Sequence, residues 1–92
     1  MNEMYYVYVL QSEKDHNFYT GFTKDLNTRI VEHNSKLSKA TAWRTPLKLV
    51  YYEFCLNNKD AMKRERYLKT TWGKRYIKGR IKNYLDEKRE ST

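Results

Sequence analysis

The chain has 92 residues, with 19 Lys and Arg against 11 Asp and Glu and a formal net charge of +8. This length makes one domain (1–92) with a small core, which excludes a large internal pocket for a bulky organic cofactor. A single cysteine, Cys55, excludes a disulfide framework and a multi-cysteine zinc site. The sequence has no apolar run of membrane-spanning length and no secretory-signal pattern at its start, so we expect a cytoplasmic protein without a membrane partner.

The positive charge is concentrated in one part of the chain. Residues 59–85 hold ten Lys and Arg and two acids, a net charge of +8, whereas 1–58 and 86–92 have net charges of +1 and −1. A basic surface on one side is typical of proteins that bind a polyanion, although a solvated helix face would have the same composition.

Two strands joined by a turn are predicted near the beginning of the chain. Residues 4–12 are aromatic and β-branched, and both alternating sets are largely apolar, which predicts a central strand covered on both faces. Residues 13–17 are a polar turn and 18–23 a second, short strand, so the two strands form a hairpin. Gly21 within the second strand indicates a bulge or a close backbone approach.

A helix, a loop and a third strand follow the hairpin. Thr23 or Asp25 is the expected N-cap of a helix that runs to about residue 36. Its apolar stripe, completed by a histidine, consists of Leu26, Ile30, His33 and Leu37. Residues 35–46, rich in Ser, Thr and Lys, are predicted to form a mobile basic loop, and 47–56 form the third strand.

The last part of the chain is predicted to be helical. Asn57, with an acid three residues later, indicates a helix start, and this helix runs to about Trp72. Gly73 breaks or bends it, and a last helix covers about 75–89, with the apolar stripe Ile77, Ile81, Tyr84 and Leu85. The order β-β-α-β-α-α predicts an α+β fold with a three-stranded, mainly antiparallel sheet, a core over about 4–85 and a frayed tail at 86–92.

Glu65 is out of place on its helix, because Ala61, Leu68 and Trp72 on the same inward stripe are apolar. A carboxylate in such a position must be paired, protonated or bound to a metal. A half-buried ion pair with an arginine is the structural interpretation. The functional one is a ligand of Mg²⁺, which needs few carboxylates because it keeps several waters and takes phosphate oxygens.

Arg29 and His33 share a face of the first helix, since they are four residues apart. Arg29 either pairs with Glu32 or Glu65, or binds a phosphate with its planar guanidinium. His33 is either a partly buried histidine with satisfied hydrogen bonds, or a donor beside that phosphate.

Tyr8 and Tyr19 can sit on neighbouring strands of the hairpin. Tyrosines on strands usually serve packing. Phosphodiester hydrolysis, however, needs an activated water, a neutralised phosphorane-like charge and a stabilised leaving oxygen, and Tyr, Arg, His and a metal-bound Glu supply these functions.

The order of these motifs resembles the GIY-YIG nuclease family. Tyr6-Val7-Tyr8 and Tyr19-Thr20-Gly21 resemble its paired signature, with Tyr6 where the family has glycine and Thr20 where an aliphatic residue is common. The resemblance covers about residues 4–85 and continues through Lys24-Asp25-Leu26, Arg29, His33-Asn34, Arg44-Thr45-Pro46, Leu49-Val50-Tyr51 and Ala61-Met62-Lys63-Arg64-Glu65. The chain is most similar to small bacterial stand-alone domains related to the N-terminal nuclease domain of the UvrC excision-repair subunit.

The resemblance implies an endonuclease that hydrolyses nucleic-acid phosphodiester bonds, with DNA in repair or recombination as the expected substrate. It implies that Glu65 is the single ligand of one Mg²⁺ or Mn²⁺ ion and that Arg29 stabilises the scissile phosphate. Tyr8 is implied as the general base for water or as its orienter, with Tyr19 supporting it and His33 as an auxiliary hydrogen-bonding group. Because an ordinary tyrosine pKa near 10 is high for a base, Arg29 or the metal would have to lower it.

Eight cations are expected to contact backbone phosphates, and Trp43 or Trp72 is available for stacking on bases. The cations are Lys39, Arg44, Lys63, Arg66, Lys69, Lys74, Arg75 and Lys78. One alternative is a nucleic-acid-binding module with weak or no catalysis, and another is an adaptor that docks an acidic protein through the same helices. A protein partner that supplies specificity is also expected for so small a nuclease.

Overall fold

A computed structural model describes residues 3–90 of the chain. Its antiparallel sheet has the strand order β2-β1-β3 and is formed by β1 (Tyr5–Ser12), β2 (Phe18–Thr23) and β3 (Leu47–Cys55). Four α-helices and one 3₁₀ turn complete the fold: α1 (Leu26–Asn34), the turn Ala42–Arg44, α2 (Asn58–Leu68), α3 (Thr71–Arg80) and α4 (Lys82–Glu90). The predicted α+β class and three-stranded sheet are confirmed, with one more helix than predicted.

Strand β1 is the centre of the sheet because it pairs with both other strands. Val7 and Val9 are fully buried on one face, where they pack with residues of α2 and α3. Tyr8 and Leu10 are buried on the opposite face, which α1 covers. The prediction of a central strand covered on both faces is therefore confirmed.

The helix starts follow from side-chain caps. Asp25 is the N-cap of α1, since its carboxylate accepts a hydrogen bond from the Thr28 backbone N–H at 3.1 Å, while Thr23 accepts one from the Asp25 N–H. Asn57 caps α2 as predicted, accepting from the Lys59 N–H at 2.8 Å. No helix between residues 3 and 90 has the length and apolar character needed to cross a membrane.

The first helix ends earlier than predicted, at Asn34 rather than near residue 36. The Leu37 and Lys36 N–H groups bond the Glu32 and His33 carbonyls, a Schellman ending in which Lys36 takes a positive φ of 64°. This ending turns the chain away from the helix axis. The prediction that Leu37 lies on the inward stripe is therefore wrong, and its side chain is 73% exposed.

The second predicted helix also ends early, at Leu68, and a new helix begins at Thr71. Thr70 caps α3 by accepting from the Gly73 N–H at 3.1 Å, so Gly73 lies in the first turn of a helix and does not break one. A Cβ at Gly73 would overlap the backbone of Leu68, so a glycine permits the close approach of α3 to α2. Trp72 consequently leaves the inward stripe and is 67% exposed.

The predicted last helix, 75–89, is divided at Ile81 between α3 and α4. Of the predicted tail 86–92, residues 86–90 belong to α4 and 91–92 lie outside the described residues. The predicted loop at 35–46 contains the 3₁₀ turn, and Ser38 and Thr41 within it are buried.

Gly21 lies opposite Tyr8 in the β1–β2 register. A Cβ at this position would overlap the Tyr8 ring. The ring can therefore lie over β2 only because residue 21 has no side chain. The sequence predicted either a bulge or a close backbone approach at Gly21. The structure has a close approach, in which the Tyr8 ring packs against the Gly21 backbone. The irregularity of the sheet lies instead between Val9 and Leu10, in the pairing of β1 with β3.

We expect Gly21→Ala to lower the free energy of unfolding by about 1–3 kcal/mol, because the new methyl overpacks the site and displaces Tyr8. Gly79→Ala is the matched control: a Cβ there meets nothing within 4 Å, and the better helix propensity of alanine should stabilise the protein by up to about 1 kcal/mol. Urea unfolding of both variants measures the difference. Equal stability of the two variants would contradict the packing of Tyr8 across Gly21.

Candidate active site

A line of hydrogen bonds runs from the central strand to the loop after α1. The Tyr8 hydroxyl lies 2.8 Å from His33 Nε2, and His33 Nδ1 lies 2.6 Å from Thr41 Oγ1. His33 and Thr41 are fully buried, and Tyr8 is 1% exposed. Buried polar groups are stable only when they are hydrogen-bonded, so the three side chains depend on one another.

Tyr19 joins this group from the neighbouring strand. Its ring centroid lies 6.5 Å from that of Tyr8 and 5.0 Å from that of His33, with tilted and edge-on geometries. The register explains the contact: Tyr19 faces Leu10, so it is the diagonal neighbour of Tyr8 on the same face of the sheet. The expectation that the two tyrosines sit on neighbouring strands is confirmed.

Arg29 lies one helical turn before His33 and is partly exposed. Its Nη1 forms an ion pair with Glu32 Oε1 at 3.0 Å, one of the two partners considered from the sequence. The hydrogen bond that Arg29 donates to Glu32 is the main cause that raises the Arg29 pKa, so the guanidinium is charged. Arg29 in turn lowers the pKa of Tyr8, against the larger effect of burial.

Glu65 lies on α2 and is half-buried. Its carboxylate is 22% exposed and lies 3.5 Å from Lys69 Nζ, so the pairing is with a lysine and not with the arginine considered from the sequence. The charge of Glu65 adds only a small part to the raised pKa of Tyr8, which is mainly due to burial. The contacts of the structure bring Tyr8, Tyr19 and His33 together, while Arg29 lies one helical turn before His33 and Glu65 lies on α2.

The neighbouring residue, Arg64, anchors this part of α2 to the sheet. Its Nε donates to Glu53 Oε1 on β3 at 2.6 Å, and its guanidinium lies 5.0 Å from the Tyr76 ring centroid. Glu53 also accepts a hydrogen bond from the Tyr51 hydroxyl at 2.8 Å. Arg64 thus holds α2 on β3, while the adjacent Glu65 pairs with Lys69 of the same helix.

Burial controls the protonation of Tyr8. Desolvation is the largest cause that raises its pKa, to about 12, and outweighs the lowering by Arg29. A tyrosine base would need Arg29 or the metal to lower its pKa, and Arg29 by itself does not offset the burial of the hydroxyl. Tyr8 is therefore protonated at neutral pH, which favours the role of orienter over that of base.

Burial also keeps His33 neutral, since desolvation, assisted by the charge of Arg29, lowers its pKa. A neutral imidazole has one donor and one acceptor nitrogen. We assign the acceptor to Nε2, because Arg29 can only donate toward the phenol oxygen and the Tyr8 proton is then directed to His33. Nδ1 consequently carries the proton and donates to Thr41 Oγ1.

Thr41 is the site residue that sequence reasoning missed. It lies in a stretch whose Ser, Thr and Lys content indicated only a loop, and no local pattern distinguishes it from Thr45. Asn34 has a related role: its side chain donates to the Leu47 carbonyl at 2.9 Å and accepts from the Leu47 N–H at 2.7 Å, which fixes the end of α1 on the start of β3.

Seven of the eight predicted phosphate-binding cations are exposed. They are Lys39, Lys63, Arg66, Lys69, Lys74, Arg75 and Lys78. Arg44 differs, because its side chain is 11% exposed, its Nε lies 3.2 Å from Asp15 Oδ2 and it also donates to the Phe18 carbonyl. Arg44 is a structural cation, and we leave it out of the proposed phosphate contacts.

The residues from 3 to 90 contain no group of three or more His, Cys, Asp or Glu side chains that could enclose a metal ion. The donor that the sequence suggests for a metal is the single carboxylate of Glu65. This donor set fits a magnesium-type ion, which binds through one or two carboxylates and completes its shell with water and substrate phosphate. It does not fit a zinc site, which takes three or four protein ligands.

Comparison with known proteins agrees with this arrangement. Residues 4–78 match the sequence model of the GIY-YIG catalytic domain. The chain belongs to the GIY-YIG family. This is a nuclease family, so a domain of this type acts on nucleic acid, and its members are generally dependent on a divalent metal.

Relatives of similar size carry the name UPF0213. The chain is 48% identical over 67 residues to a UPF0213 protein of Clostridium perfringens, covering 72% of this chain and 71% of that protein. It is 39% identical over 69 residues to one of Staphylococcus epidermidis, covering 74% and 83%. The solution NMR structure of a UPF0213 protein from Bacillus halodurans has 34% identity and a TM-score of 0.51, covering 80% and 81%.

We expect Thr41→Val to lower the free energy of unfolding by about 1–3 kcal/mol, because it leaves the buried His33 Nδ1 without a partner. Thr41→Ser keeps the hydroxyl and should cost less than Thr41→Val. Urea unfolding measures stability, and the ¹⁵N shifts of the His33 ring report its tautomer. A loss in Thr41→Ser as large as that in Thr41→Val would contradict a special role of the hydrogen bond between Thr41 and His33.

The lowered His33 pKa predicts a pH-dependent stability. As pH falls through the unfolded-state value of about 6.5, the unfolded chain takes up a proton that the folded protein binds less readily, so stability is lost. The slope for one proton is at most about 1.4 kcal/mol per pH unit. Unfolding measured from pH 7 to pH 5 should show this loss in the parent and in His16→Asn, which changes an exposed histidine, and not in His33→Gln.

Proposed function

We propose that this chain is an endonuclease that hydrolyses DNA phosphodiester bonds, with one Mg²⁺ or Mn²⁺ ion held through Glu65. The observation that carries the proposal is the buried cluster in which the Tyr8 hydroxyl lies 2.8 Å from His33 Nε2 and the Tyr19 ring packs against both. Arg29, one helical turn before His33, supplies a cation that can bind phosphate, and Glu65 on α2 supplies a carboxylate that can hold a metal. The resemblance to the nuclease domain of the UvrC subunit supports DNA, in repair or recombination, as the substrate.

Arg29 is the group that binds and stabilises the scissile phosphate. Its guanidinium is permanently charged, and its partial exposure leaves it accessible to substrate. Glu32 holds it from one side, which limits the rotamers that it explores before substrate arrives. A preorganised donor costs little reorganisation as negative charge develops in the transition state.

Tyr8 orients the attacking water. Because its proton is directed to His33, the phenol oxygen presents its lone pairs to the donors around it. A water that donates to this oxygen is held next to the phosphate on Arg29. Thr41 fixes the His33 ring, and so maintains the direction of the Tyr8 proton.

A divalent ion on Glu65 would supply a Lewis acid and a water of lowered pKa. The residues of the chain prepare this position. Lys69, 3.5 Å from Glu65, neutralises the carboxylate while no cation is bound and must release it for binding.

We expect Glu65→Gln and Arg29→Ala each to reduce the cleavage rate by about 10²–10³-fold, as loss of one charge-stabilising group in an active site does. Purified protein is assayed on flapped, branched and linear DNA, and on RNA of the same sequence, with Mg²⁺ or Mn²⁺. Glu13→Gln, an exposed acid in the hairpin turn, is the matched control and should cleave as the parent does.

Cleavage that survives both Glu65→Gln and Arg29→Ala, or that proceeds equally in a chelator, would overturn the proposed mechanism. Cleavage of RNA alone would overturn DNA as the substrate. Unchanged unfolding midpoints in urea show that the variants are folded, so that a loss of rate is a loss of chemistry.

A nucleic-acid-binding module without catalysis is the second candidate. Two observations favour it. The Tyr8 pKa of about 12 keeps the hydroxyl protonated at neutral pH, so it cannot accept a proton from water. The Glu65 carboxylate is already paired with Lys69. In that case no substrate is cut, and binding weakens steeply between about 50 and 200 mM salt in the parent and in Glu65→Gln alike. The cleavage assay and this titration separate the two candidates.

A further inference from the structure

A groove of about 560 Å³ is bordered by the 3₁₀ turn, the segment that also follows Thr41 of the candidate active site. Its walls come from the β1–β2 turn, the 3₁₀ turn and α3, and include His16, Phe18, Trp43, Arg44, Lys74 and Lys78. Thr41, which bonds His33, is two residues from Trp43, so one short segment borders both the active site and this groove. Its volume is within the range of about 300–1,000 Å³ that is typical of ligand sites.

The wall that carries Trp43 is rigidly held. Arg44 is bonded to Asp15 and to the Phe18 carbonyl, and the buried Ser12 hydroxyl donates to the Arg44 carbonyl at 2.6 Å. The Arg44 guanidinium lies 5.8 Å from the Trp43 ring centroid, within cation–π range. The Trp43 side chain is nevertheless 62% exposed, so a large aromatic surface is fixed in place and open to solvent.

The opposite wall is positive. Lys74 and Lys78 are one turn apart on α3, and both are exposed. Asp15, the acid in the groove, is paired with Arg44, and the Asn17 backbone N–H together with Arg44 lowers its pKa. The groove therefore combines an exposed indole with two lysines that face solvent.

We propose that this groove binds an unpaired nucleotide of a single-stranded segment next to the cleavage site, with Trp43 stacked on the base and Lys74 and Lys78 on backbone phosphates. An indole ring stacks on the face of a base. In a duplex these faces are covered by the neighbouring base pairs, so the groove should prefer single strands. That the bound nucleotide lies next to the cleavage site rests on the proposed function, whereas the binding of a single strand in the groove is independent of it.

The two tryptophans of the chain allow a direct test. Trp72→Phe leaves Trp43 as the single fluorophore, and Trp43→Phe leaves Trp72, which is equally exposed but lies outside the groove. Each variant is titrated with a short oligothymidylate, with a blunt duplex and with thymidine monophosphate, all in a chelator. We expect saturable quenching of Trp43 by the oligonucleotide, weaker quenching by the duplex and by the mononucleotide, and no quenching of Trp72.

Affinity measured by anisotropy of a labelled oligonucleotide completes the test. Trp43→Ala should weaken binding by about 5- to 160-fold, the equivalent of the 1–3 kcal/mol of one stacked base, while Trp72→Ala should not. The double variant Lys74→Gln/Lys78→Gln loses two phosphate contacts on a single strand. The slope of log affinity against log salt concentration should therefore become shallower by about 1.4.

Quenching of Trp72 rather than Trp43, equal quenching of Trp43 by duplex or by mononucleotide, or an unchanged salt slope would overturn this proposal. Because the titrations contain no metal, they are independent of cleavage. Trp43 quenching in a protein that cuts nothing would support the groove and overturn the nuclease. Cleavage without Trp43 quenching would overturn the groove alone.

Discussion

The hydrogen bond between Tyr8 and His33 is the interaction on which the rest of the site depends. It joins the central strand to α1 at a fully buried position, and a buried hydroxyl without a partner would cost more than the bond contributes. The bond requires Gly21, because a side chain there would displace the Tyr8 ring, and it requires Thr41, which occupies the other nitrogen of His33. Strand pairing, helix placement and loop conformation are thus coupled through one imidazole.

This coupling explains how so small a protein can keep charged groups in fixed positions. Arg29 is on the same helix as His33 and is held by Glu32, while Glu65 is on a helix that Arg64 fastens to Glu53 of β3. Arg29 and Glu65 both stay partly exposed, so the desolvation of their charges is incomplete and costs less free energy. The Tyr8 hydroxyl is the group that is buried, and its raised pKa is the consequence.

The 3₁₀ turn connects the active site to the neighbouring surface. Thr41 points inward to His33, Trp43 is open to solvent, and Arg44 ties the segment to the hairpin turn. Any strand bound beside Trp43 would therefore lie against a segment whose other end is hydrogen-bonded to His33. This continuity is a reason to consider substrate binding and active-site geometry together.

The sequence by itself determined the sheet, the central strand, the caps at Asp25 and Asn57 and the family signature, because alternation, cap chemistry and motif order are local properties. It also set Glu65 apart, since a carboxylate between Ala61 and Leu68 conflicts with its surroundings. Only the tertiary structure decided that α2 ends before Trp72, that Arg44 is paired with Asp15, that Thr41 is the partner of His33 and that Tyr8 is protonated. These properties depend on burial and on contacts between residues far apart in the chain, which no local pattern contains.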